Sequence, residues 1–149
     1  MGNEQLSDLA DVIQRGYCLN VTHLNLTGNN FDDQGITILV HAIVENDSLP
    51  HLVDLNLDRT PIGDDGVEAL CRTHHNCNLM GRLTHLSLRM TSLGDRACLA
   101  LSNAFLRLEG KQMMIQQLQI DGNKGITPSG AACIRELQST CPKLKNLWV

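Results

Sequence analysis

The sequence predicts an α/β solenoid: a curved, right-handed stack of βα repeats, with a parallel sheet on the concave face and helices on the convex face. Three observations carry the prediction. An apolar motif, L-x-x-L-x-L, recurs five times; its recurrences are almost evenly spaced; and a helix-period apolar stripe follows each of the first four.

The elements follow in order. Leu6, Leu9, Ala10 and Ile13 share one face of an amphipathic helix, so residues 1–20 are expected to form an N-terminal capping helix and its lead-in. The motif then appears as Val21/Leu24/Leu26, Leu52/Leu55/Leu57, Leu83/Leu86/Leu88, Ile115/Leu118/Ile120 and Leu144/Leu147/Val149. It starts at 21, 52, 83, 115 and 144, with spacings of 31, 31, 32 and 29 residues. Residues 21–149 therefore read as about four and a half repeats. Each motif ends in apolar–polar alternation, the period of a strand with one buried face. A second apolar anchor follows at Phe31, Ile62, Leu93 or Ile126, and a small residue at Gly35, Gly66, Ala97 or Gly130. Helical stripes come next: Ile36/Leu39/Val40/Ile43, Val67/Leu70/Cys71, Cys98/Leu101/Phe105 and Ile134/Leu137/Cys141. Asp33, Asp64 and Asp95 stand at the helix starts, where a carboxylate complements free amides and the positive dipole end; Thr127-Pro128 takes that place in the fourth unit.

This strand–turn–helix unit resembles the ribonuclease-inhibitor type of leucine-rich repeat, whose pattern runs roughly LxxLxLxxNxLxDxGxxxLxxxL. Residues 52–70 follow it closely, and the resemblance covers about residues 21–149. The family's asparagine, which the resemblance implies hydrogen-bonds turn backbone inside the solenoid, stands at Asn29 and Asn123. Thr60 and Thr91 replace it in between and can supply only part of that bonding. The repeat is longer than the family's usual one, so longer connections are expected after the helices. The last unit, with Cys141-Pro142-Lys143-Leu144, resembles the cysteine-containing repeat of F-box substrate adaptors.

Composition narrows the function. Aromatic residues make up 3% of the chain, so the core must be aliphatic. A formal net charge of -4 without a run of Lys or Arg gives no basic footprint for nucleic acid or acidic membrane. Six cysteines without an apolar leader read as reduced thiols of the cytoplasm or nucleus, and the sequons at Asn20, Asn25 and Asn46 then read as chance. Met1-Gly2 hints at myristoylation, but Leu6 stands where the signal wants Ser or Thr.

The expected binding face is the concave sheet, whose outward side chains form columns. The first is His23, Asp54, His85, Gln117 and Asn146; the second Asn25, Asn56, Ser87, Gln119 and Trp148; the third Thr27, Asp58, Arg89 and Asp121. Polar and mixed in charge, this face suits a protein surface better than a lipid or an apolar small molecule. Trp148, the only tryptophan, is the leading contact residue, with packing against a C-terminal cap as the alternative. The chain stops on the last position of the strand motif, so further repeats or another chain are expected to cover that edge.

Three constellations invite a chemical reading. His23, Asp54 and His85 could offer two imidazoles and a carboxylate to a metal, but an exposed sheet column splays them into water. Ser87 with His85 and Asp54 has triad composition without a nucleophile elbow or oxyanion hole. Cys71, His74, His75 and Cys77 do not have standard zinc spacing, and Cys71 fits the helix stripe while the histidines suit a helix C-terminus. No catalytic residue, metal or cofactor is expected, and no glycine pattern marks a nucleotide site. The reading is a non-catalytic protein-binding or scaffold module. Two alternatives come from resemblance: a GTPase regulator of the Ran GTPase-activating type, for which no edge residues match, and a ubiquitin-ligation substrate adaptor.

Overall fold

The computed structural model describes residues 1–72, 77–108 and 113–149. Helix α1 (Asn3–Gln14) leads into strand β1 (His23–Asn25) and helix α2 (Asp33–Glu45). Strand β2 (Asp54–Asn56), helix α3 (Asp64–Cys71) and the short helix α4 (Leu79–Arg82) form the next unit. Strand β3 (His85–Ser87) and helix α5 (Asp95–Leu106) form the third. Strand β4 (Gln117–Gln119), helices α6 (Pro128–Arg135) and α7 (Leu137–Thr140), and strand β5 (Asn146–Trp148) follow.

The five strands make one parallel sheet in the order β1-β2-β3-β4-β5. Leu24, Leu55, Leu86, Leu118 and Leu147 are direct partners across it. Sequential parallel order follows from the repeat: each helix-containing crossover returns the chain to the start of the next strand, one inter-strand spacing further along. The ladder continues beyond the strands, with Leu26, Leu57 and Leu88 N–H groups donating to the carbonyls of Asn56, Ser87 and Gln119 at 2.8, 2.9 and 2.8 Å.

The core is the aliphatic interior that the composition requires. Leu52, Leu55, Leu57, Leu83, Leu86, Leu88, Ile115, Leu118 and Ile120 are buried against Leu39, Leu70, Leu101 and Ile134 of the helices. Phe31, Ile62 and Leu93 close each layer at the turn, while Ile126 is half-buried. Helix α1 packs on α2 and buries Leu6, Ala10 and Ile13. Burying a leucine of this size contributes about 1.5–3 kcal/mol, so the leucine columns are the main favourable term.

The turn after each strand repeats a left-handed residue: Gly28 (φ 71°), Arg59 (φ 55°), Met90 (φ 52°) and Gly122 (φ 77°). Arg59 and Met90 hold that backbone with a Cβ present, at about 1–2 kcal/mol of steric cost each. The shared geometry ties their N–H groups into the ladder, Gly28 donating to Asp58 O (2.8 Å) and Arg59 to Arg89 O (2.9 Å).

Two details differ from the periodicity. The stripe Ile134/Leu137/Cys141 is broken, with Ile134 in α6, Leu137 in α7 and Cys141 at the C-cap of α7, yet all three residues stay buried. Helix α3 ends at Cys71, and the longer connection expected after it contains α4. His74 and His75, expected at that helix end, lie outside the described residues.

Asp33, Asp64 and Asp95 occupy the first turns of α2, α3 and α5, as expected, but their carboxylates bond across the repeats. Asp33 Oδ1 accepts from Gly63 N at 2.6 Å, Asp64 Oδ1 from Gly94 N at 2.7 Å and Ala97 N at 3.1 Å, and Asp95 Oδ1 from Thr127 N at 2.8 Å. Asn3 Oδ1 does the same for Asp32 N at 3.1 Å. Helices α1, α2, α3 and α5 therefore each supply, from the first turn, an acceptor for the start of the corresponding helix in the next repeat.

Candidate functional site

Alternation along each strand puts the leucine between two outward residues, and the parallel register aligns those residues into columns. His23 faces Asp54, Asp54 faces His85, His85 faces Gln117 and Gln117 faces Asn146. Asn25, Asn56, Ser87, Gln119 and Trp148 form the second register column. The third column, Thr27, Asp58, Arg89 and Asp121, lies just past the strand ends.

The columns differ in how far their polar groups are already engaged. Asn25 and Asn56 turn their carboxamide oxygens back on the chain, accepting from Thr27 N at 3.0 Å and Asp58 N at 2.9 Å. Asn56 Oδ1 also accepts from the Thr27 hydroxyl at 2.8 Å. Ser87 is 7% exposed, and its hydroxyl lies 2.5 Å from Asp58 Oδ1 and 3.1 Å from Gln119 Oε1. Arg89 donates its N–H to Asp58 at 2.8 Å and its guanidinium Nε to both oxygens of Asp121 at 3.0 and 3.1 Å. Serine, aspartate and arginine here brace the sheet as well as line it.

The first column is open. Among the described residues the side chains of His23 and His85 hydrogen-bond only with the threonine before them, Nδ1 lying 2.8 Å from Thr22 Oγ1 and 2.9 Å from Thr84 Oγ1. No side-chain hydrogen bond among the described residues reaches Asp54, Gln117 or Asn146. Trp148 is 40% exposed at the β5 edge of the sheet, beside Gln119 in register.

The geometry bears on the chemical readings of the sheet columns. The Ser87 proton is committed to Asp58, and His85 Nδ1 faces Thr84, so serine and imidazole do not form a nucleophile–base pair. Among the described residues no three His, Cys, Asp or Glu side chains converge to hold a metal ion. All six cysteines are free thiols. Burial pushes the Cys71 and Cys98 thiols up to about 12 and the Cys77 thiol up to about 11, which keeps them protonated and unreactive at neutral pH. No helix among the described residues is long and apolar enough to cross a membrane.

Met90 was missed by sequence reasoning. It is 51% exposed at the left-handed turn beside the third column, and its side chain lies over Gly122, where an added Cβ would come within 2.9 Å of Met90 Cγ. The signal was present: glycine stands at this repeat position in the first and fourth units, so the residues between them occupy a special turn.

Stacked strand–turn–helix units, a continuous aliphatic interior and one open parallel sheet define a leucine-rich-repeat solenoid. Residues 17–39 and 48–71 match the family model described as Leucine Rich repeat, and these segments span β1 with the start of α2, and β2 with α3. Comparison with curated proteins gives no match.

Proposed function

We propose that this chain is a non-catalytic protein-binding module that docks its partner on the concave sheet. One observation carries the reading: the first column, from His23 to Asn146, presents polar side chains in register whose hydrogen-bonding capacity the fold leaves largely unspent. The sheet already holds their backbone in place, so binding has only their side-chain rotamers left to order. Trp148, Gln117 and Asn146 form the contact patch at one end, His23 and Asp54 at the other. Residues 52–70, which follow the ribonuclease-inhibitor-type pattern closely, favour that subtype. Six free thiols fit a cytoplasmic or nuclear setting.

The test is capture of proteins from an extract of the source cell with the tagged chain and its variants. A protein retained by the parent and by Leu99→Ala, exposed on α5, but lost with Gln117→Arg or Trp148→Ala is the expected result. Retention that ignores both concave substitutions and disappears with Leu99→Ala would move the site to the helical side.

A further inference from the structure

Asp54 is the carboxylate of the concave sheet that its neighbours leave without a donor. Asp58 receives the Ser87 hydroxyl and the Arg89 N–H, and Asp121 receives the Arg89 guanidinium, whereas no hydrogen bond among the described residues reaches the Asp54 side chain. Its strand partners are His23 on one side and His85 on the other, each about 5 Å away across the ladder.

The chemistry of His85 is fixed by Thr84. That hydroxyl has one proton, and it donates it to the Val53 carbonyl at 3.0 Å. Toward His85 Nδ1, 2.9 Å away, Thr84 can therefore only accept. Nδ1 carries the hydrogen, and the neutral ring keeps its lone pair on Nε2. Thr22 meets His23 at the same ring atom, 2.8 Å away. Two acceptors, the Asp54 carboxylate and His85 Nε2, thus occupy neighbouring positions on an open face, with no donor among the described residues to serve them.

An acceptor pair of this kind is matched by a cation rich in N–H groups. A guanidinium offers five donors in a plane and sheds water more readily than an ammonium, so it can bond the carboxylate while a further N–H meets the imidazole. Charge agrees: the three columns hold three aspartates and one arginine. We propose that Asp54 and His85 form a seat for an arginine side chain of the protein partner, an inference that rests on the concave-face reading above and specifies its chemistry.

Selection of random displayed peptides on the intact chain tests it. No hydrogen bond among the described residues reaches the Asp54 side chain, so Asp54→Asn is expected to melt with the parent, which a thermal scan verifies. Peptides whose binding is blocked by Gln117→Arg define the concave-face set. In that set an arginine should recur, and its replacement by citrulline, or Asp54→Asn in the protein, should weaken binding about fivefold or more, with His85→Ala weakening it about threefold. Concave-face peptides that lack arginine, or that bind Asp54→Asn as tightly as the parent, would overturn the seat while leaving the protein-binding reading in place. A selection yielding only peptides indifferent to Gln117→Arg would overturn both.

Discussion

The carboxylate of Asp64, in the first turn of α3, accepts the backbone N–H of Gly94 at 2.7 Å and that of Ala97 at 3.1 Å, one repeat further on. Gly94 is the N-cap of α5 and carries no side-chain oxygen of its own. A helix start needs such an acceptor because its first amides have no intrahelical partner. Asp64 therefore caps a helix to which it does not belong, and fastens neighbouring repeats together at the turn. Asp33 does this for Gly63, and Asp95 for Thr127.

Asp64→Ala should lower the unfolding free energy by about 1–2 kcal/mol, the range for loss of a helix cap. Asp64→Asn keeps one acceptor oxygen and should lose less. Urea unfolding of the three proteins checks the order, and a melt of Asp64→Ala identical to the parent would contradict the cross-repeat cap.

The same first-turn side chains crowd the glycine at the third position of the next repeat's helix, Asn3 at Gly35, Asp33 at Gly66 and Asp95 at Gly130. A Cβ on Gly66 would stand 2.5 Å from Asp33 Oδ1, 2.7 Å from Ile36 Cγ2 and 2.8 Å from Ile62 Cγ2. Gly66→Ala should therefore destabilise by about 1–3 kcal/mol, against the usual gain for this exchange within a helix. Thermal denaturation reads the sign; a stabilised variant would mean that the Asp33 carboxylate can step aside without loss.

How much of this was legible depends on the sequence distance over which the forces act. The leucine columns were readable because alternation in each strand and the 3.6-residue stripe in each helix are local patterns, and repetition fixed their register. Placing His23, Asp54 and His85 in one column followed from that register. The cap from Asp64 to Gly94 spans 30 residues, and in one sequence the aspartates look like ordinary first-turn carboxylates of their own helices. The missing side chain at Gly63 and Gly94, both N-caps, was the available hint. The burial of Ser87 was equally hidden: strand alternation turns it outward, and the side chains of Asp58 and Gln119 reach it from the neighbouring repeats.

Acid should act through the two ends of this ladder. The Thr127 hydroxyl, then the Thr127 and Gly130 amides, hold the Asp95 carboxyl below its ordinary value of 3.8. The Asn3 carboxamide, then the amides of Gln34 and Gly35, hold Asp32 below the same value. A carboxyl depressed in the folded state gives stability that is fully present above its unfolded value and is lost as pH falls through the folded one. The urea midpoint should therefore drop below about pH 4, and Asp95→Asn should lower stability at neutral pH while flattening that acid limb. An acid limb as steep in Asp95→Asn as in the parent would remove Asp95 from the account.

The asparagine turn should show a graded cost. Asn123 is buried; its amide nitrogen donates to Ile120 O at 2.7 Å and to Leu88 O of the preceding repeat at 2.8 Å. Its oxygen accepts from Thr91 N at 2.9 Å, the Thr91 hydroxyl at 2.8 Å and Leu93 N at 3.3 Å. Thr60, at the corresponding position two repeats earlier, makes one side-chain bond, to Leu57 O at 2.7 Å. Removing Asn123 strands several buried backbone groups on both repeats, so Asn123→Ala should cost about 2–4 kcal/mol, whereas Thr60→Ala should cost about 1 kcal/mol. Amide hydrogen exchange locates the difference, because Thr91 and Leu93 should lose protection in Asn123→Ala while both keep it in Thr60→Ala. Equal losses in the two variants would reduce Asn123 to a local turn residue.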